Sequence, residues 1–519
     1  MSWLSSLKPV STLPDYPGPY KVGSIDVEIP VASLHSPSPA PDSSISTVAY
    51  RIFYPCELSA GDRPVRWIPN PQRGYMAAYA RFMGANSAFA SVFAFFPQLF
   101  YYTNIPVHRN APLLSPPTKS SRWPVMVFSH GLGGTRNAYS QIVGSVASHG
   151  VVVIAPEHRD GSCPISYIRA TPGTPAKAVD YVTLPHEPRD DIWERRDEQL
   201  KIRLWELGVI HDSMLRMDAG EDVRNLDENK SKNKKLDTSK LLSMFKDKLD
   251  MHRPGSIVWA GHSFGAATMH QLVKTVFWQT SPERKYAYVP LFSPKATSEI
   301  AKQITSFSPV VLLDMWCLPL QSPNTRWLKD KPMPCYAAPG PGGNNLVAIL
   351  SEAFYNWTVH MKETKRLLSE DPSTSSPRKT KPGPRFFYPV SSAHLSQSDF
   401  GLLFRWISKT IFHVEEPERI LNLNTRCILQ MMRENGYEVA ETCRIDAEEE
   451  TEAAKGKGME VFESTRSGDW KILDTRGQVR GWIAVTTDLY EQGQDLTAAS
   501  SKSPADAVVE HEVLGQASK

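Results

Sequence analysis

Gly261, His262, Ser263, Phe264 and Gly265 form a G-x-S-x-G run between an apolar stretch, Ile257 to Ala260, and an apolar helical one, Ala266 to Val273. A serine on a sharp strand-to-helix turn lifts its Oγ above a sheet, and the flanking glycines leave room for backbone that a Cβ would obstruct. That oxygen attacks a carbonyl carbon only when a base takes its proton, so an acid and then a histidine are expected further along the chain. Asp314 closes a predicted strand, Val310 to Leu313, and His394 stands in a short loop after Arg385 to Tyr388. Strand ends are where open α/β sheets gather their reacting groups. Glu352 is the alternative acid. His262, His270, His360 and His413 are the competing histidines, with His262 expected to point away from Ser263 as its neighbour on the turn.

Acyl transfer also needs amide donors for the oxygen that becomes negative. The loop Ser129, His130, Gly131, Leu132, Gly133, Gly134 follows a predicted strand, so the amides of Leu132 and Phe264 are the expected pair. A second strand-end loop carries Glu157, His158, Arg159 and Asp160, which either shape a substrate pocket or form an internal ion-pair network. Gly340, Gly342 and Gly343 lack the Lys and Ser/Thr of a phosphate-binding loop, and no Cys or His spacing suits a metal, so no cofactor is expected.

The elements that must hold these residues alternate from Pro124 onward. Val125 to Phe128, Val151 to Ala155, Ser256 to Ala260, Val310 to Leu313, Leu346 to Leu350 and Arg385 to Tyr388 read as buried strands. Tyr139 to Ser148, residues 191 to 219, Leu241 to Leu249, Ser398 to Phe412 and Leu421 to Glu434 read as helices. That order predicts an α/β-hydrolase fold with a mostly parallel central sheet and inserted surface loops. Residues 1–45 are expected as a turn-rich arm containing a strand near Lys21 to Ile29, and residues 46–443 as the catalytic domain. Within that domain, residues 220–240 are expected as a solvated charged insertion, and residues 444–519 follow as a divergent extension.

The chain has 519 residues, and 58 basic against 55 acidic side chains give +3, too weak a bias to nominate nucleic acid as partner. Six scattered cysteines fit a reduced compartment, and the first twenty residues lack the apolar core of a signal peptide, so a cytoplasmic location is expected. The aromatic run Phe89 to Tyr102 is too short to span a bilayer; Phe93, Phe95, Phe96 and Phe100 are candidates for peripheral membrane contact or for a buried core.

The segments at 128–134, 157–162, 261–265, 312–320 and 391–400 together resemble the serine-dependent platelet-activating factor acetylhydrolases of the plasma and intracellular type II family. Phe128 to Gly133, with Arg136 and Tyr139, is similar to the oxyanion-loop segment, Glu157 to Asp160 to an acidic, histidine and arginine loop, and Gly261 to Gly265 to the nucleophile elbow. Leu313, Asp314, Trp316, Pro319 and Leu320 resemble the acid-bearing stretch, and His394, Asp399 and Phe400 the histidine loop. The likeness runs intermittently from about Gly18 to Asn435 and includes Trp67, Ile68 and Pro69.

The resemblance implies a calcium-independent esterase of the phospholipase A2 class. Its expected substrates are phospholipids with a short or oxidised second-position acyl group, such as 1-alkyl-2-acetylglycerophosphocholine. Ser263, Asp314 and His394 then act as the triad, with His130, Glu157, His158, Arg159, Asp160 and Trp316 as candidate pocket residues. Cys317 stands where the family usually has methionine, and Ala266 replaces the second glycine after the elbow. A carboxylesterase or lipase for neutral short-chain esters, and a noncatalytic lipid-binding protein, are the alternatives.

Overall fold

The computed structural model describes residues 13–58, 63–84, 99–234, 236–281, 288–374, 380–442, 468–474 and 479–488. Its central sheet uses β1 (Lys21–Pro30), β2 (Thr47–Cys56), β3 (Trp123–Ser129), β4 (Val152–Glu157) and β5 (Ile257–His262), then β6 (Val310–Leu313), β7 (Leu346–Ile349), β8 (Arg385–Pro389) and β9 (Trp482–Ala484). The spatial order is β9-β8-β7-β6-β5-β3-β4-β2-β1, with a short pair from His108–Arg109 beside β1. Strands β3 to β8 run parallel, whereas β1, β2 and β9 join antiparallel.

Period-two alternation along these strands feeds two cores, which is why the parallel strands are apolar at nearly every position. Val125, Val127, Trp259 and Leu312 face one layer, with Leu200 and Leu204 of α3 (Asp190–Ala219) and Met269 and Leu272 of α4 (Phe264–Phe277). Met126, Phe128, Val258, Ala260 and Val311 face the other, with residues of α1 (Gln72–Phe82), Ile142 and Val146 of α2 (Ser140–Ala147) and Ile428 and Met431 of α8 (Pro417–Glu434). On the first side α5 (Thr358–Leu368) adds Leu367 and Leu368.

Three expectations change in detail. The predicted helix from Ser398 to Phe412 is two short ones, α6 (Asp399–Leu403) and α7 (Arg405–Ile411), broken at Phe404. The stretch from Leu241 to Leu249 is a 3-10 turn over Thr238–Phe245, after which Leu249–Asp250 pairs with β3. Part of the charged insertion is structural: the Asn229 side chain accepts from Asp26 N–H at 3.0 Å and donates to Asp26 C=O at 2.7 Å, and Asn225 accepts from Glu28 N–H at 2.9 Å. A side-chain amide satisfies an edge strand as a neighbouring peptide would, so these asparagines close the edge of β1. β1, at the strand expected near Lys21 to Ile29, and β9 form part of the same sheet. Among the described residues no helix is long and apolar enough to cross a membrane.

Candidate active site

Ser263 lies between β5 and α4 with φ 56° and ψ −119°, a conformation that costs a side-chain-bearing residue about 1–3 kcal/mol and is held by its surroundings. Its N–H donates to Leu313 C=O at 2.8 Å, and its C=O accepts from Ala267 and Trp316 at 3.1 and 3.2 Å. The flanking glycines are steric necessities. A Cβ on Gly261 would stand 2.5 Å from the Gly265 backbone, and one on Gly265 would stand 2.0 Å from Ser129 C=O.

Asp314 follows β6 in another positive-φ conformation, at 41°, with its N–H on Ile349 C=O at 2.8 Å. Its carboxylate accepts from Ser351 N–H at 2.5 Å and bonds His394 Nδ1 at 3.0 Å. His394 opens a short turn, His394–Gln397, beyond β8. One face of its ring stacks on Phe354 at 4.5 Å and 5°, and the His262 ring lies 4.4 Å from it. With Nδ1 engaged by the carboxylate, the other ring nitrogen is the one that can act as base.

All three side chains are buried. Burial holds His394 down at about 3 and pushes Asp314 up to about 7, the latter opposed by the nearby His262 ring and by Ser351 N–H. The imidazole is therefore neutral near pH 7, as a general base must be. Glu352 accepts instead from Ser391 N–H at 2.7 Å, and His360 accepts from Cys317 N–H at 3.2 Å.

Ser263 and His394 open on a cavity of about 370 Å³. Its wall includes Trp67, Met76, Tyr79, Phe82, Leu132, Phe400, Phe404 and Phe412, with no Asp, Glu, Lys or Arg among the described lining residues. Trp67 is fixed by Asp399, which accepts from its indole N–H at 2.8 Å and from the N–H groups of Ser140 and Gln141 at 3.0 and 2.8 Å. One carboxylate thereby caps α2 and braces the cavity wall.

Loop 129–134 lies against the elbow: a Cβ on Gly131 would meet Ser263 Cβ at 2.9 Å. Gly131 N–H donates to Tyr139 Oη at 3.1 Å and Gly133 N–H to Ser162 C=O at 2.9 Å. Among the described residues neither the Leu132 nor the Phe264 amide has a hydrogen-bond partner. Leu132 lines the cavity.

The second group of expected pocket residues lies elsewhere. His130, Glu157, His158, Arg159 and Asp160 are buried behind the loop and do not line the cavity. Arg203 Nε donates to Asp160 at 2.6 Å, His158 Nδ1 bonds Glu206 at 2.8 Å, Arg136 pairs with Glu157 at 3.1 Å, and Tyr75 donates to Glu157 at 2.8 Å. His130 accepts from His158 N–H at 3.2 Å. The charged members find partners inside the protein, Asp160 on Arg203, Glu157 on Arg136 and Arg159 on Glu28 at 3.7 Å, so this is the ion-pair network. Trp316 is also absent from the cavity wall, packing on His186 at 4.6 Å and under Arg196 at 5.0 Å.

His262 does not turn away; it lies beside His394, with Nδ1 2.8 Å from Tyr139 Oη. The signal that could have found it is the alternation along β5: Val258 and Ala260 face the layer that holds Tyr139, and His262, two positions on and the last residue of the strand, follows them. Of the aromatic run, Phe100 lines the cavity and packs on Phe404 at 5.0 Å, while Phe93, Phe95 and Phe96 lie outside the described residues.

A mostly parallel sheet carrying a glycine-bracketed serine elbow, with a carboxylate and an imidazole delivered from later strand ends, is the architecture of the α/β-hydrolases. The sequence profile of platelet-activating factor acetylhydrolase, isoform II, matches residues 6–453, and the chain belongs to that family. A protein named "Putative phospholipase A2" from Schizosaccharomyces pombe is 28% identical over 443 residues, covering 82% of this chain and 92% of the relative. Platelet-activating factor acetylhydrolases from Canis lupus familiaris and Cavia porcellus are 29% and 30% identical, each over 50% of this chain and 52% of the relative.

Proposed function

We propose that the protein hydrolyses the second-position acyl ester of glycerophospholipids bearing a short or oxidised acyl group, through an acyl-enzyme on Ser263. The observation that carries this reading is the strained serine elbow sharing one apolar cavity with a histidine whose Nδ1 is bonded to Asp314 at 3.0 Å. His394 takes the Ser263 proton as Oγ bonds the ester carbonyl carbon. The amides of Leu132 and Phe264 receive the negative oxygen, and Asp314 steadies the imidazolium. Collapse breaks the carbon–oxygen bond to the glycerol, whose oxygen takes the proton from His394. Water, deprotonated by the same histidine, then releases the acid and regenerates Ser263. Family membership and the names of the relatives support the phospholipid class.

A specific observation favours a second reading. With no charged side chain on the described wall, nothing there is built to grip a phosphocholine group, so a neutral short-chain ester is the competing substrate. Mass spectrometry of products from phospholipids with graded second-position chains, run beside acetyl esters of matched size, tests both. Selective release of short acids from phospholipids is the expected result, and equal turnover of the neutral esters selects the second reading. Labelling by a fluorophosphonate at Ser263, lost in Ser263→Ala, tests the nucleophile itself.

A further inference from the structure

His262 and Tyr139 join the two halves of the site. Tyr139 is the cavity-lining residue at the start of α2, and His262 is the residue before the proposed nucleophile. The Tyr139 oxygen accepts Gly131 N–H at 3.1 Å, and 2.8 Å away on its other side is His262 Nδ1. With His262 protonated at Nε2, the phenol donates its proton to Nδ1 while its oxygen accepts from Gly131 N–H. The His262 ring in turn faces His394 at 4.4 Å, with the rings tilted by 34°, and His394 is held from its far side by Phe354. Both Tyr139 and His262 are buried at the cavity wall. The chain of contacts runs Gly131 amide, Tyr139 hydroxyl, His262 ring, His394 ring.

We propose that Tyr139 and His262 are positioning residues of the hydrolysis, forming a relay of two hydrogen bonds and one ring contact that fixes the oxyanion loop against the base. The inference rests on the triad reading given above. Gly131 directly precedes Leu132, and its amide is anchored by Tyr139 while Gly133 is anchored by Ser162 C=O at 2.9 Å. The Leu132 amide between these two anchors is the proposed donor to the oxyanion. Removing one anchor lets that amide drift from a geometry that has value only when the carbonyl oxygen becomes negative, so the loss falls on kcat rather than KM.

Tyr139→Phe keeps the ring packed on Phe128 and deletes both bonds. The relay predicts a drop of about tenfold or more in kcat, with KM within about twofold, since a fully lost oxyanion donor costs about 10²–10³-fold. His262→Leu is expected to give a similar loss. His262→Asn offers an amide oxygen close to the lost Nδ1 and is expected to recover most of it. Because both variants break one chain, Tyr139→Phe combined with His262→Leu is expected to lose little more than either alone. Steady-state kinetics on a soluble short-chain ester, with thermal unfolding of each variant, separates relay from packing. Wild-type kcat in Tyr139→Phe, losses that multiply in the double variant, or a failure of Asn to outperform Leu at 262 would overturn the relay. Ser263→Ala run in parallel keeps the outcomes distinct: turnover retained there defeats the triad reading, whereas its loss beside a wild-type Tyr139→Phe defeats the relay alone.

Discussion

Two groups of ionisable side chains lie on opposite sides of loop 129–134. On the cavity side, Asp314 and His394 share one hydrogen bond inside a wall of aromatic and aliphatic residues, and no Arg or Lys among the described lining residues neutralises the carboxylate. Behind the loop, Asp160 and Glu157 meet Arg203 and Arg136, so those charges cancel within the network, while Glu206 bonds His158 Nδ1 and accepts from the Arg159 main-chain N–H. Burial raises the carboxyl in both places, Asp314 to about 7 and Glu206 to about 8, yet the consequences differ. A buried charge saturated by fixed partners holds architecture. A buried acid bonded to one imidazole and a main-chain N–H, with no cation beside it on the described wall, can change its protonation during a reaction.

The largest effect expected from breaking that contrast is at the nucleophile. Ser263→Ala removes the oxygen proposed to attack and should lower kcat by about 10⁴-fold or more while leaving the unfolding midpoint near wild type. Retained turnover measured on purified protein would move the chemistry away from this cavity altogether.

Asp314→Asn comes next, with a loss of about 10³–10⁴-fold, because the amide cannot stabilise the imidazolium and disfavours the required tautomer. The same pair sets the pH profile. As pH falls through about 7 the Asp314–His394 unit gains a proton; a protonated carboxyl no longer supports the base, so kcat/KM declines about tenfold per unit below that point and is flat above it. Undiminished kcat/KM at pH 5 would show that the carboxylate stays ionised in the cavity.

On the other side of the loop, the same substitution should act on stability. Asp160→Asn leaves Arg203, which is fully buried, without its charge partner at 2.6 Å, and should cost about 3–5 kcal/mol of folding free energy. The midpoint in urea should fall while KM of the folded fraction is unchanged. A rise in KM with an unchanged midpoint would return Asp160 to the substrate pocket, where its sequence context first suggested it could belong.

That ambiguity explains what could be read from the residues alone. The elbow was legible because a strained turn between strand and helix admits few residue types, and Gly261 and Gly265 have no space for a Cβ. Asp314 and His394 were legible as polar residues at the ends of apolar strands. The side of the sheet edge to which Glu157–Asp160 turn was not, since it depends on Arg203, which lies 43 positions beyond Asp160 on α3. His262 follows the alternation of Val258 and Ala260 along β5, whereas the closing of β1 by Asn225 and Asn229 joins residues about 200 positions apart. A charged stretch carries no mark of the few amides in it that pair with main chain.

The smallest effect concerns the cavity wall, where the difference between the two regions becomes a matter of substrate length. Phe404 breaks the helix after β8 and packs its ring between Phe100 at 5.0 Å and Phe400 at 6.0 Å. Its backbone, at φ −110° and ψ 43°, ends α6 and precedes α7. Phe404→Leu keeps the wall apolar but shortens it, so a longer second-position chain gains room while an acetyl group gains nothing. Since one methylene of fit is worth about 1–3 kcal/mol, the ratio of kcat/KM for a medium-chain to an acetyl substrate should rise about tenfold. The acetyl value itself should move by less than about threefold, because the triad and the loop are untouched. A ratio that stays fixed, with both substrates losing equally, would mean that this wall supports the fold and that the acyl chain lies elsewhere.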